Sequence, residues 1–165
     1  IMHWPALVSN RHITQIVILD GMEYRVEAAI PEQANASAIE PPYPESPVSE
    51  WPGRKISIAF GRLFATRSGD KGGNANLGIW AKTPESYEFL RSYLSVEVLK
   101  NMLGDVRPYE IERYEFPNLL AVNFYIKGIL GDGVAASLRS DPQAKTLGEY
   151  IRAKMIEAPE SIAKG

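Results

Sequence analysis

The sequence predicts an α+β fold: an antiparallel sheet of about four strands with helices on one face, preceded by a β-hairpin and a proline-rich arm. Three observations carry that expectation. Short β-branched and apolar runs, bounded by turn residues, recur along the chain. Two longer segments place apolar residues at helical spacing. From residue 55 onward the order is β-β-α-β-β-α, with connections short enough to make sequential strands antiparallel.

The elements follow in order. In "ITQIVILDGMEYRVEAAIPE" an apolar run from Ile13 to Leu19 meets Asp20-Gly21, the strongest two-residue turn signal, and Tyr24 to Ile30 returns. This hairpin, within residues 1–30, is expected to be the end of a preceding domain. Residues 31–54 form the arm: five of the twelve prolines fall between Pro41 and Pro52, and core residues are few. The remaining 55–165 is the main domain. "KISIAFGRLFATR" (Lys55–Arg67) is its first strand, interrupted by Gly61, and "NLGIWAK" (Asn76–Lys82) its second. Thr83 is an N-cap with Pro84 behind it, and Gly104 stops the run, so one helix is expected between them. Its core stripe is Tyr87, Leu90, Leu94, Val98 and Met102. Tyr109–Phe116 alternates as a third strand, with Glu110, Glu112 and Glu115 as a solvated face. Pro117-Asn118 turns the chain, and Leu119–Gly128 is the fourth strand. A short helix is expected around Val134–Leu138 and a final one over Thr146–Glu157.

Composition excludes several function classes. The 165 residues are 45% hydrophobic and 23% charged with a net charge of -2, which offers no general affinity for nucleic acid or anionic membranes. No apolar run approaches the roughly 18 residues of a membrane span. With no secretory leader in view, the expected location is the cytoplasm. Cysteine is absent, which removes thiol nucleophiles, disulfides and Cys-ligated metals. The two histidines, His3 and His12, lie far from the polar segments, so no metal site and no Ser-His-Asp triad is expected there. The aromatic and basic clustering of an RNA-binding sheet is also missing. No cofactor is expected.

Two polar, glycine-bearing segments remain. "ATRSGDKGGNANLGIWA" reads as a loop whose Gly69, Gly72, Gly73 and Gly78 let the backbone approach a ligand. Arg67 would grip an anion bidentately and Lys71 would add a point charge, while Ser68, Asn74 and Asn76 position it. Asp70 is the candidate general acid/base, or the group that orients Lys71; these two are the catalytic candidates. The segment is not a Walker A loop, because Lys71 precedes Gly-Gly and a strand follows. "GILGDGVAASLRSDPQAK" repeats the chemistry with Ser137, Arg139, Asp141 and Lys145. Asn123 sits in an apolar strand on the face of Ala121 and Tyr125, and a buried amide needs partners. Hairpin geometry lets both segments meet in one pocket. The other possibility is a wide turn whose polar groups satisfy one another, with Asp70 paired to Arg67 or Arg139.

The quoted segments resemble the C-terminal, ferredoxin-like domain of the acyclic terpene utilisation (AtuA) proteins. The resemblance covers about 55–150 and rests on two patterns. One is A-R-S-G-D-K-G-x-x-A-N-I-G-V; the other is L-N-F followed by L-G-G-G-V-x-x-S-L-R-x-D-x-Q-G-K. It maps onto Arg67, Ser68, Gly69, Asp70, Lys71, Gly72, Ala75, Asn76 and Gly78, then Asn123, Phe124, Gly131, Gly133, Ser137, Arg139, Asp141, Gln143 and Lys145. Thr66, Asp132 and Ala144 depart from it, the last two standing where glycine is usual. The resemblance implies a domain or small subunit of a catabolic enzyme acting on acyclic terpenes or branched acyl-CoA compounds. It implies as partners the larger AtuA-type domain and an acidic small-molecule ligand. The arm and hairpin add the expectation of a homo-oligomer. The competing expectation is a non-catalytic assembly domain whose polar loops brace each other or a neighbouring chain.

Overall fold

The computed structural model describes residues 6–26 and 51–163. They belong to two compact units, one within His3–Pro41 and one within Pro42–Gly165. The expected arm over 31–50 and the return of the hairpin beyond Val26 lie outside the described residues.

In the first unit, β1 (Gln15–Leu19) pairs antiparallel with β2 (Met22–Val26). Leu19 opposes Met22 across the two-residue turn, where Asp20 and Gly21 both adopt positive φ (51° and 79°). That is the requirement of a type I′ turn and the reason for the Asp-Gly pair.

The second unit contains β3 (Lys55–Ala59), α1 (Phe60–Leu63), β4 (Ala65–Lys71), β5 (Asn74–Trp80), α2 (Pro84–Tyr93), α3 (Val96–Met102), β6 (Ile111–Phe116), β7 (Ala121–Ile126), α4 (Thr146–Arg152), β8 (Met155–Pro159) and α5 (Glu160–Ala163). The main sheet has the order β4-β5-β7-β6, antiparallel throughout. β5 and β6 are therefore parallel, joined by helices and separated by β7, which is a split β-α-β unit. The helices cover one face, and the core lies between them and Ala75, Leu77, Ile79, Val122, Phe124 and Ile126, all fully buried.

Four expectations are corrected. The apolar run Lys55–Arg67 is two strands broken by α1, whose Phe60 and Leu63 enter the core; β3 leaves the main sheet and pairs with β8 instead. The single helix after Thr83 is two, because Ser95 caps a new start by accepting from the Val98 amide at 3.1 Å. The break moves the core stripe by one residue, to Leu99 and Leu103. Residues 134–136 form turns, not a helix. The final helix ends at Arg152, and Met155–Pro159 continues as β8.

The helix break explains the one buried arginine among the described residues. Arg113 donates to the carbonyls of Leu94 (3.1 Å) and Arg91 (2.9 Å), which the end of α2 leaves open, and to Glu115 at 2.7 Å. Glu115 is therefore not part of a solvated face. The pleat turns it inward, opposite to Glu110 and Glu112.

Candidate functional site

The segment read as a loop is a hairpin of two seven-residue strands, β4 and β5. The turn is only Gly72-Gly73, with Lys71 opposite Asn74 and Gly72 alone at positive φ (64°), as a type II′ turn requires. Period 2 then divides the candidates. Thr66, Ser68 and Asp70 lie on the helix-covered face, in the rows of Ile79, Leu77 and Ala75. Arg67, Gly69 and Lys71 lie on the other, open face, with Asn74, Asn76, Gly78, Asn123 and Tyr125. Asp70 and Lys71 thus point to opposite faces, and Lys71 Nζ donates to the Asp70 carbonyl at 2.9 Å.

At the tip, the two polar segments meet through backbone. The Leu130 amide donates to the Gly73 carbonyl at 2.9 Å, and the Gly128 amide donates to Asn74 Oδ1 at 2.7 Å. Asn74 Nδ2 donates to the Tyr125 hydroxyl at 2.6 Å. A Cβ at Gly73 would collide with the Gly131 carbonyl oxygen. The glycines at this end serve the approach of one backbone to another. Ser137 Oγ accepts from the Arg139 amide at 3.4 Å, and Arg139 pairs with Asp105 at 2.6 Å. Asn76 donates to Asn123 at 3.4 Å.

At the root, α4 packs on β4 through Gly148. Thr66 Oγ1 donates to the Gly148 carbonyl at 2.9 Å, and Ser68 Oγ accepts from the Gly148 amide at 3.0 Å. Beside this contact lies a cleft of about 330 Å³ lined by Thr66, Arg67, Ser68, Trp80, Lys145, Gly148 and Glu149. It brings together three sequence candidates: Arg67, Ser68 and Lys145. The other candidates do not line it. Among the described residues, Arg67 and Lys145 make no ion pair, and neither side chain makes a hydrogen bond. Glu149 is drawn toward Arg152 at 3.4 Å.

Lys145 is placed by its neighbours. Asp141 accepts from the Lys145 amide (2.9 Å) and from the Thr146 amide (2.8 Å) and hydroxyl (2.7 Å). Partial burial raises the Asp141 carboxyl, but the Thr146 hydroxyl, these amides and the Arg139 charge outweigh it, so its pKa lies below the usual aspartate range. Ala144, between them, is held at φ 52° and buried, which accounts for the glycine of the AtuA pattern at this position.

Trp80, Thr66, Gly148 and Glu149 were not among the expected site residues. The signal for Gly148 was a lone glycine inside a helical run, "TLGEYI", which marks close packing. For Trp80 it was the alternation of "NANLGIW".

A split β-α-β sheet with helices on one face defines a ferredoxin-like α+β domain. The chain matches the AtuA ferredoxin-like domain over residues 58–157, more than half its length, and belongs to that family. No curated protein and no solved structure gives a significant match. Among the described residues no helix is long and apolar enough to cross a membrane, and no three His, Asp or Glu side chains converge as metal ligands.

Proposed function

We propose that this chain acts as the C-terminal domain or small subunit of an AtuA-type catabolic enzyme, and that the cleft at the root of the β4–β5 hairpin binds an acidic ligand. One observation carries the reading. Arg67 from β4 and Lys145 from the segment before α4 reach the same cleft, and neither has a carboxylate partner among the described residues. Two such cations beside the Ser68 and Thr66 hydroxyls favour a carboxylate or phosphate. Trp80 supplies an apolar wall for the group attached to it. The volume sits at the small end of ligand pockets, about 300–1,000 Å³, so an acyl-CoA would place only one end here.

Calorimetric titration of the full chain with isovalerate and with coenzyme A tests this. Saturable binding of at least one probe is expected. Arg67→Gln and Lys145→Gln should each weaken it by about tenfold or more, the scale of a hydrogen bond to a charged group. Unchanged affinity in both variants, with unchanged circular dichroism, contradicts the reading. The backbone contact between Gly73 and Leu130 favours a second role at the other end of the hairpin. There the polar segments brace each other, and a chain that binds neither probe would be left with that assembly role.

A further inference from the structure

The open face of the main sheet presents four ordered rows. The first is Ala65, Trp80, Ala121 and Phe116; the second is Arg67, Gly78, Asn123 and Tyr114. The third is Gly69, Asn76, Tyr125 and Glu112; the fourth runs from Lys71 and Asn74 to Lys127 and Glu110. No hydrogen bond, ion pair or ring contact among the described residues joins these side chains to a helix.

Two features of the face have no cause among the described residues of this unit. Gly69 and Gly78 lie within strands at ordinary φ, so no turn requires them. A Cβ at Gly78 would meet its nearest neighbours at 3.6 and 3.7 Å, and one at Gly69 would meet only Asn76 Oδ1 at 4.0 Å. Glycine weakens a strand, and where the described residues leave room for a side chain, glycine marks the close approach of something else. At one end, Trp80 and Phe116 are 39% and 45% exposed in a single row.

The face is also polar in charge. The β4 edge carries Arg67 and Lys71. The β6 edge carries Glu110 and Glu112, with Lys127 bonded to both at 2.7 and 2.6 Å. Two cations thus face a cluster of net charge minus one across the sheet.

We infer that a second copy of this chain packs its own open sheet face on this one, about a two-fold axis parallel to the strands. That operation exchanges the two edges and preserves each row. Trp80 meets the partner's Ala121 and Ala65 the partner's Phe116, so each exposed ring covers an alanine; Arg67 meets the partner's Tyr114, and Lys71 approaches the partner's Glu110. Gly78 receives the partner's Asn123 and Gly69 receives the partner's Glu112, so each glycine accommodates a larger residue. A two-fold axis perpendicular to the strands but in the same plane would lay the cationic β4 edge along the partner's β4 edge, and loses this match in charge. The contact is isologous, as closed dimers are, with the two sheets about 10 Å apart. Strand spacing gives a flat area of roughly 400 Å² per copy, below the standard share of about 800 Å², so the dimer dissociates on dilution. The Arg67 and Trp80 wall of the cleft then borders the partner's β6 edge. The inference does not depend on ligand binding.

Sedimentation velocity of the full chain from about 1 to 300 μM tests it. The expected result is a reversible rise from one to two chains. Gly78→Lys sets two ammonium groups beside the axis, and should leave a single-chain species with unchanged circular dichroism. Lys71→Glu and Glu110→Lys should each weaken association roughly fivefold, since each contact occurs twice. The double reversal should restore it. A wild-type chain that stays monomeric at 300 μM overturns the inference. So does a dimer that persists in Gly78→Lys, or a double reversal no tighter than the single ones.

Discussion

Gly148→Ala tests whether α4 and β4 meet as described, because two opposing effects set its sign. Alanine is favoured over glycine in a helix by about 1 kcal/mol, so an uncrowded site would be stabilised. Here the new Cβ would stand 2.9 Å from Thr66 Oγ1, 3.4 Å from Ser68 Oγ and 3.5 Å from the Ser68 amide nitrogen. Neither hydroxyl can withdraw without losing its bond to the Gly148 backbone. Losing both costs about 1 kcal/mol each, and forcing a methyl into a packed contact costs about 1–3 kcal/mol. Set against the helix gain, the net is a destabilisation of about 2–4 kcal/mol. Urea unfolding reads this as a lower midpoint at unchanged slope. In a Thr66→Ala, Ser68→Ala background the same substitution should become neutral or stabilising, because the obstructing oxygens are gone. If Gly148→Ala stabilises the otherwise wild-type chain, the hydroxyl clamp on α4 is wrong, and with it the floor of the cleft.

Two further outcomes concern Arg113 and Asp141. Arg113→Met should cost about 3–5 kcal/mol by urea unfolding, since it reopens the Leu94 and Arg91 carbonyls and leaves Glu115 only Arg91, at 3.7 Å; a loss under 1 kcal/mol would contradict that role. Asp141 has a depressed folded-state pKa, so its stabilisation is complete above the unfolded value of about 3.9 and is lost as pH falls through the folded value. Asp141→Asn should therefore flatten the loss of stability below about pH 4, and an unchanged acid limb would remove Asp141 from the account.

The fold was legible where pattern and turn chemistry agreed. Asp20-Gly21, Thr83-Pro84 and the alternation of Ala121–Ile126 each indicate their element directly. The sequence was harder to read where one feature concealed another. Glycine-rich composition made the stretch from Ser68 to Ala75, between two expected strands, look like a loop, although "NANLGI" alternates. Once it is a strand pair, its pleat separates Asp70 from Lys71. Ser95 hid a helix start inside an apolar stripe, because the stripe continues on both sides with a one-residue shift. The cleft was half visible: Arg67, Ser68 and Lys145 stood out by chemistry. Gly148 joins them through the packing of α4 on β4 and Trp80 through the pairing of β5 with β4, contacts that the local patterns of each segment do not place together.

An acidic group bound beside Arg67 and Lys145, as proposed, has a direct signature in solution. An amide-resolved NMR titration of the ¹⁵N-labelled chain with isovalerate, and separately with coenzyme A, tests it most directly. Saturable shifts confined to Thr66–Ser68, the Trp80 indole and Lys145–Glu149 are predicted. Shifts centred instead on the Gly72–Asn74 turn and Gly131–Gly133, or none that saturate with either probe, would contradict it.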